Sequence, residues 1–312
     1  MQNQIIIPDN EAHWLELRTK DVTSTEAGAL FGLSDSSWIP TLFELWHRKK
    51  DNITVDFKPN ERLIWGKRME ATIALGIAED NGWKVRRMSE YIRIPELRAG
   101  ASFDYECTEN SDDPNTCLLE IKNLDSLMLK TKWIQDEDGN FEATPSIELQ
   151  VQYQLFVSGK PHAYIAGFVG GNKVVLIKRE ADLEIHEAIK TNLKAFWKSI
   201  DENIPPEPDF SKDAKTISKL YGYSEPGKIY SAEGDLEILT LATRYKELGE
   251  AVKACDIERD GIKSQLLIKV GDSEKVIGDG FSISAGMIGP ARIEYDRKGY
   301  RIFMINWKRE KK

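Results

Sequence analysis

The sequence ASFD at residues 101–104 and the sequence CLLEIKN at residues 117–123 decide the fold of this chain. A polar turn separates these two apolar segments, and this pattern predicts a β-hairpin. Strand side chains alternate between two faces, so Glu120 and Lys122 project from the same face. With Asp104 across the ladder from them, two carboxylates and an ammonium converge at one point.

The predicted hairpin carries a candidate metal site. Two close carboxylates repel each other, and a cation between Asp104 and Glu120 relieves that repulsion. Oxygen ligands of this kind suit Mg²⁺, with Mn²⁺ as a substitute. The Lys122 ammonium would polarise a water or stabilise the charge of a phosphoryl transition state, while Ile121 points into the core. The alternative from spacing alone is an edge strand with a surface ion pair.

Composition limits the other kinds of site. The chain has 312 residues with 41% hydrophobic content, and no apolar run approaches the roughly 20 residues of a membrane helix. The N-terminus is too short and too polar for a signal peptide, so we expect a cytoplasmic protein. Three cysteines without motif spacing argue against a zinc ribbon and a disulfide framework, and the four histidines form no ligand pair, so each is predicted to be an isolated polar residue.

Charge gives a weak indication of a polyanionic partner. The net charge is −8, but residues 291–312 contain eight basic and three acidic side chains. A basic patch on an acidic body fits an enzyme that contacts DNA locally. Basic termini also serve as solubilising tails, and that alternative stays open.

A candidate anion site lies near the N-terminus. Thr23 followed by Glu26 is a capping-box spacing and predicts a helix start, with Gly32 ending that helix. Arg18 and the Thr25 hydroxyl lie beside this helix start. A hydroxyl and an arginine at a helix N-terminus predict an anion site.

Helical periodicity adds further candidates. Residues 62–81 are predicted to form a helix that carries Glu70, either as a solvated side chain or as a third carboxylate over the hairpin. Residues 147–159 are predicted to form a helix with Gln150 and Gln154 on one face and Gln152 turned away. Further predicted elements are helices at 41–50 and 181–203, strands at 162–168 and 172–178, and short antiparallel strands from residue 275 onward, including 291–296 and 300–307.

A proline cluster at residues 205–208 divides the chain, because proline cannot continue the preceding helix. We predict a domain at residues 1–209, a linker at 210–232 and a C-terminal module at 233–312. The module opens with a long helix at 235–270 whose apolar residues follow a three-four spacing. Packing on its own domain and a coiled-coil contact with another chain are both open.

Five motifs in order resemble the phage lambda exonuclease and YqaJ-type viral recombinase family of the PD-(D/E)xK nuclease superfamily. They are Arg18 with VTSTE at 22–26, WGKRME at 65–70, SFD at 102–104, EIK at 120–122 and QVQY at 150–153. Phe103 stands where the superfamily name has proline. The resemblance implies an α/β (α+β) fold: a restriction-endonuclease-like core with a central mixed sheet flanked by helices, to which the C-terminal long helix and small antiparallel sheet are added.

The resemblance also implies roles for individual residues. Asp104, Glu120 and the backbone carbonyl of Ile121 would bind metal, and Glu70 would bind a second metal or its water. Lys122 would orient or deprotonate the attacking water. Residues that align with the family's 5′-phosphate and DNA contacts are Arg18, Thr25, Ser102, Gln152 and Gln150, with Ser102 on the same strand face as Asp104.

The implied activity is Mg²⁺-dependent hydrolysis of linear duplex DNA from 5′ to 3′, which leaves 3′ single strands. The expected partners are DNA ends and a single-strand annealing or recombination protein, and the family implies a homotrimer. Two alternatives stay open. They are a structure-selective or restriction-like endonuclease, and a DNA-end-binding module with little turnover.

Overall fold

The computed structural model describes residues 2–33, 35–36, 38–53, 60–110, 115–292, 301 and 303–305. The chain forms two compact units, Met1–Thr216 and Ile217–Lys312. The domain bounds given by the sequence stay a prediction. No helix among the described residues is long and apolar enough to cross a membrane.

The helices are α1 (Glu11–Lys20), α2 (Ala27–Leu30), α3 (Leu42–Lys50), α4 (Glu61–Asn81), α5 (Ser126–Lys132), α6 (Pro145–Ser158), α7 (Leu183–Asp201), α8 (Ala214–Leu220) and α9 (Leu236–Val270). The strands are β1 (Gln4–Ile6), β2 (Val22–Thr23), β3 (Lys84–Arg87), β4 (Tyr91–Ile94), β5 (Ala99–Ser102), β6 (Tyr105–Thr108), β7 (Cys117–Leu124), β8 (Ile134–Gln135), β9 (Phe141–Glu142), β10 (His162–Val169), β11 (Lys173–Glu180), β12 (Lys275–Gly278) and β13 (Phe281–Ser284).

A mixed five-stranded sheet forms the centre of the first unit. Its strand order is β11-β10-β7-β6-β3. The β7 and β10 strands are parallel, and the other neighbours are antiparallel. Because parallel strands need a crossover, the chain passes through α5 and α6 between β7 and β10. The predicted mixed sheet with flanking helices is confirmed.

The two faces of β7 meet different layers, as the period-two pattern predicts. Leu119 and Ile121 are buried in a cluster with Ile73 and Ile77 of α4. Leu118, from the alternate face, joins the larger core with residues of α6 and α7. Glu120 and Lys122 share that second face, so they are directed toward α6.

A hairpin ends in β7 as predicted, but its first strand is β6 (Tyr105–Thr108) and not the predicted segment 101–104. Tyr105 pairs with Leu119 and Cys107 pairs with Cys117. The turn of the hairpin falls largely on residues 111–114, which lie outside the described residues. The expectation that Ser102 and Asp104 share a strand face is wrong, because β5 ends at Ser102 and Asp104 lies in the break before β6. The two strands belong to different sheets, since β5 is part of a four-stranded sheet ordered β1-β4-β5-β2.

The helix expected to start at Thr23 is shorter than predicted. Thr23 belongs to β2 and pairs in parallel with Gly100, and α2 begins only at Ala27. Half of the capping box still forms, because the Thr23 amide donates to Glu26 Oε2 at 3.0 Å. Sheet pairing of Val22 and Thr23 therefore overrides the local helix signal.

The second unit contains the predicted long helix and small sheet. In the described part of the chain, no residue of α9 is buried. The β12 and β13 strands pair antiparallel. The strands predicted at 291–296 and 300–307 fall mainly on residues 293–300, 302 and 306–307, which lie outside the described residues.

Candidate functional site

Glu120 is the centre of the site. It lies on β7 with 4% of its surface exposed. Its Oε1 accepts hydrogen bonds from Lys122 Nζ at 2.6 Å and from Gln150 Nε2 at 2.7 Å, and its Oε2 accepts from Gln154 Nε2 at 2.8 Å. A buried carboxylate requires such partners, and three side chains fix this one in place.

Asp104 lies across the ladder from Glu120. Tyr105 pairs with Leu119 in the antiparallel β6–β7 ladder. Continuing that register by one residue places Asp104 opposite Glu120. Asp104 Oδ2 accepts a hydrogen bond from the Ile121 amide at 2.8 Å, which holds the carboxylate against β7. Burial and the neighbouring Glu120 charge raise the pKa of Asp104 well above its usual range, against the lowering effect of Lys122. The predicted pair of repelling carboxylates is thus present in the fold.

Lys122 and Glu70 complete the charged group. Lys122 Nζ contacts Glu120 Oε1 and also donates to Gln150 Oε1 at 3.2 Å. Burial lowers the pKa of Lys122, but the charges of Glu120 and Asp104 outweigh it and raise that pKa above its usual value. Glu70 approaches from α4. Burial is the main cause that raises the pKa of Glu70. The Glu120 charge raises it further, while the Arg87 charge lowers it.

The glutamines of α6 divide into two groups. Gln150 and Gln154 reach the Glu120 carboxylate. Gln152 does not, because its amide binds the Glu180 carbonyl at 2.8 Å and accepts from the Asp182 amide at 2.9 Å. Gln154 is absent from the candidate residues drawn from the sequence. Its spacing of four from Gln150 is the signal that identifies it, since residues four apart share a helix face.

The candidate anion residues form a second, neighbouring group. Arg18 Nη2 donates to Thr25 Oγ1 at 3.1 Å, and the guanidinium lies 4.6 Å from the centroid of the Trp14 ring. Trp14 Nε1 donates to Ser102 Oγ at 2.8 Å. Trp14 therefore joins Arg18 and Thr25 to Ser102, a role that sequence reasoning missed.

Lys49 of α3 contacts this second group on its buried side. Its ammonium is buried and donates 2.7 Å hydrogen bonds to the Arg18 carbonyl and to Glu26 Oε2. Burial lowers the pKa of Lys49, against the raising effect of Glu26. A buried ion pair with satisfied hydrogen bonds fixes local geometry, so Lys49 and Glu26 hold the backbone from which Arg18 projects.

Gln154 connects the two groups of residues. Its Nε2 also lies 3.1 Å from the Ser102 carbonyl, so one amide contacts both β5 and the Glu120 carboxylate. The structure thus brings together most of the predicted residues: Asp104, Glu120, Ile121, Lys122, Glu70 and Gln150 in one group, and Arg18, Thr25 and Ser102 in the other. Gln152 lies outside both groups.

A mixed sheet covered by helices, with Asp104 before β6 facing Glu120 and Lys122 of β7, has the arrangement of the restriction-endonuclease-like PD-(D/E)xK class. Residues 13–161 match the YqaJ-like viral recombinase domain. Over this segment the chain is similar to the YqaJ-like viral recombinase family. The matched segment contains every candidate residue of both groups.

Known proteins are similar to this chain at low identity. The uncharacterized protein YqaJ of Bacillus subtilis (strain 168) is 27% identical over 270 residues, which cover 84% of this chain and 78% of that protein. Among solved structures, the alkaline exonuclease LHK-Exo from Laribacter hongkongensis gives 17% identity and a TM-score of 0.48 over 67% of this chain and 99% of that chain. A phage related exonuclease from Haemophilus somnus 129PT gives 12% identity and a TM-score of 0.42 over 59% of this chain and 95% of that chain.

Proposed function

We propose that this chain is a metal-dependent deoxyribonuclease that degrades linear duplex DNA from 5′ to 3′ and leaves 3′ single strands. One observation carries the proposal. Asp104 is held against β7 opposite the buried Glu120, and Lys122 contacts the Glu120 carboxylate. The similarity of residues 13–161 to the viral recombinase domain supports DNA as the substrate.

The donor atoms fit a hard divalent cation. Asp104, Glu120, Glu70 and the Ile121 carbonyl offer oxygen ligands only, which suits Mg²⁺ and its substitute Mn²⁺. Burial first, and then the facing Glu120 carboxylate, raises the pKa of Asp104, and a bound cation would offset both effects. When bound, the ion would neutralise charge on the scissile phosphate and make water a stronger nucleophile.

Lys122 would act mainly as a charge stabiliser. Its raised pKa keeps the ammonium protonated at neutral pH, so in this state it donates hydrogen bonds and does not remove a proton. Placed between Glu120 and Gln150, the ammonium would orient water or a phosphate oxygen as negative charge develops.

The second group would bind the terminal 5′-phosphate. The Arg18 guanidinium and the hydroxyl groups of Thr25 and Ser102 are the donor types that phosphate oxygens need. Ser102 Oγ accepts from Trp14 and still carries its own proton to donate. Gln150 would take part through its contact with Lys122. Gln152 stays a predicted DNA contact, and it would have to release the Glu180 and Asp182 backbone to reach a phosphate.

A time course on duplex DNA tests the proposal. Linear duplexes labelled at either 5′ or 3′ ends, with and without a 5′-phosphate, are incubated with the full chain in Mg²⁺ or in EDTA. We expect Mg²⁺-dependent loss of the 5′ label, with the 3′ label retained on progressively shorter strands. Digestion of closed circular DNA would indicate an endonuclease, and binding to ends without turnover would indicate a binding module; either result contradicts the proposal.

The same proposal covers the partners. The 3′ single strands would be taken up by a single-strand annealing or recombination protein in the cytoplasm. A closed trimer around DNA stays a prediction from the resemblance, and analytical ultracentrifugation of the full chain measures it directly.

A further inference from the structure

A second cluster of potential ligands lies at β6, β7 and β10, toward the end of the hairpin away from Asp104 and Glu120. Cys107 of β6 and Cys117 of β7 are cross-strand partners, and both are buried. His162 begins β10, and Glu109 follows β6. The sequence predicts isolated histidines and no cysteine site. In the structure His162 Nε2 lies 2.8 Å from Glu109 Oε2, a contact that the sequence does not indicate.

The donor atoms of this cluster lie close together. One ligand atom each of Glu109, Cys117 and His162 falls within 4.8 Å of the others. Cys107 Sγ is 2.6 Å from Cys117 Sγ, closer than ordinary van der Waals contact. Cys107 lies beside the three-residue group and contacts only its Cys117 sulfur, so it would have to turn toward the metal to become a fourth donor.

The chemistry of the donors selects a different metal from the carboxylate site. Two sulfurs, an imidazole nitrogen and one carboxylate oxygen are the ligand types of a tetrahedral Zn²⁺ centre. Zinc bonds of about 2.0–2.3 Å place such ligands roughly 3.3–3.8 Å apart. Side-chain rotation, above all of Cys107, would have to bring the donors to that spacing, with the two sulfurs moving apart by about 1 Å.

Burial gives the thiols a reason to bind a cation. Cys107 and Cys117 are both buried, and a bound cation would supply the positive charge that allows such thiols to ionise. Tyr164 donates a hydrogen bond to Glu109 Oε1, which leaves Oε2 directed at His162. Tyr164 would thus orient the carboxylate from outside the ligand set.

We propose that Cys107, Cys117, Glu109 and His162 bind one Zn²⁺, which links β6, β7 and β10. The ion has a structural role. It holds the register of the hairpin, in which Cys107 and Cys117 each lie three residues from the carboxylates of Asp104 and Glu120. The site is independent of the proposed nuclease activity and would form whether or not the chain cuts DNA.

Metal analysis of the full chain tests this site. The protein is purified with reductant, incubated with one equivalent of Zn²⁺, desalted and analysed by elemental mass spectrometry. We expect one Zn²⁺ per chain, retained at low free zinc, with chelation lowering the melting temperature.

Cys117→Ser should lose the metal. His162→Gln changes a partly exposed side chain, so it keeps the test valid if the cysteine variant fails to fold. Cys255→Ser alters the exposed cysteine and is the matched control, with zinc retained.

Substitution with Co²⁺ separates this site from the carboxylate site. A thiolate-to-cobalt charge-transfer band is expected in the unaltered chain and in Glu120→Gln, because only the cysteine cluster supplies sulfur. Absence of that band, or unchanged zinc binding in His162→Gln, would overturn the proposal. A mass lower by two hydrogens under non-reducing conditions, located to Cys107 and Cys117, would also overturn it, because it would show a disulfide in place of a metal site.

Discussion

Gln154 donates a hydrogen bond to Glu120 across the interface between α6 and β7, at 2.8 Å from Nε2 to Oε2. The same nitrogen contacts the Ser102 carbonyl at 3.1 Å. One buried amide thus fixes the Glu120 carboxylate of the proposed metal site relative to β5, which carries Ser102 of the proposed phosphate pocket. Its position explains how two groups from distant parts of the sequence keep a constant spacing.

Replacing Gln154 should weaken both the fold and the metal site. In Gln154→Leu, Glu120 Oε2 loses its partner, so we expect a loss of about 1–3 kcal/mol in the free energy of unfolding. The concentration of Mg²⁺ for half-maximal digestion should rise, because the carboxylate is no longer held. Urea unfolding and a Mg²⁺ titration measure the two effects. Asn192→Leu is the control, since it loses a partly buried hydrogen bond to the Leu30 carbonyl and lies in neither group of site residues; equal shifts in both titrations would contradict this role.

Neutralising Asp104 should stabilise the chain when no metal is present. Asp104 and Glu120 carry like charges in a buried setting, and Asp104→Asn removes one charge while an oxygen still accepts from the Ile121 amide. We expect a higher melting temperature for Asp104→Asn than for the unaltered chain in EDTA. Adding Mg²⁺ should raise the melting temperature of the unaltered chain much more than that of the variant. An equal response of the two proteins to Mg²⁺ would exclude Asp104 as a ligand.

Removing the Lys122 ammonium should reduce turnover and spare metal binding. Lys122→Met keeps the aliphatic stem, and the loss of one charge-stabilising donor is expected to lower kcat by about 10²–10³-fold. Single-turnover digestion of a linear duplex measures this effect, with Mg²⁺ affinity followed in parallel. Lys178→Met, at a lysine of β11 that pairs with Glu180, is the control and should digest normally. A variant of Lys122 with full activity would remove this residue from the site.

Changes in the second group should alter the preference for the DNA end. Thr25→Val keeps the volume of the side chain and removes the hydroxyl, and Arg18→Ala removes the guanidinium that contacts it. Both variants should digest 5′-phosphorylated duplex at least tenfold more slowly, since a charge-assisted hydrogen bond contributes about 1.5–3 kcal/mol. Rates on 5′-hydroxyl duplex are the internal control and should change little. If both kinds of end slow equally, these residues do not form a phosphate pocket.

Glu106 should make the fold sensitive to acid. Burial alone would raise its pKa, but hydrogen bonds from Lys160, Thr116 and Arg86 lower the pKa of Glu106 to about 2 from its usual 4.5. A carboxyl whose pKa is lower in the folded state stabilises the protein above the unfolded value and loses that contribution as pH falls toward the folded value. The contribution is therefore expected to disappear between about pH 4.5 and pH 2.

Urea unfolding at several pH values measures this contribution. The difference in stability between the unaltered chain and Glu106→Gln should be largest near pH 7 and should shrink as pH falls through that window. Glu187→Gln, at an exposed glutamate of α7, is the control and should show a small difference at every pH. A difference for Glu106→Gln that does not change with pH would show that its charge is unimportant.

The sequence by itself determined the local part of this protein. Alternation along β7 predicted that Glu120 and Lys122 share a face, and the spacing of four along α6 placed Gln150 and Gln154 together. Helical patterns gave α4, α6, α7 and α9 within a few residues of their bounds. These features depend on residues that are two to four positions apart, so a short stretch of sequence contains the information.

Only the tertiary structure decided which elements meet. Sheet pairing of β2 shortened α2, and the change of sheet after Ser102 separated that residue from the strand of Asp104. Packing brought Gln154 to Glu120, directed Gln152 to the start of α7 and placed His162 beside Glu109. Such contacts join residues tens of positions apart. They depend on how complete layers of helices and strands pack together, and the periodicity of a short sequence segment does not contain that information.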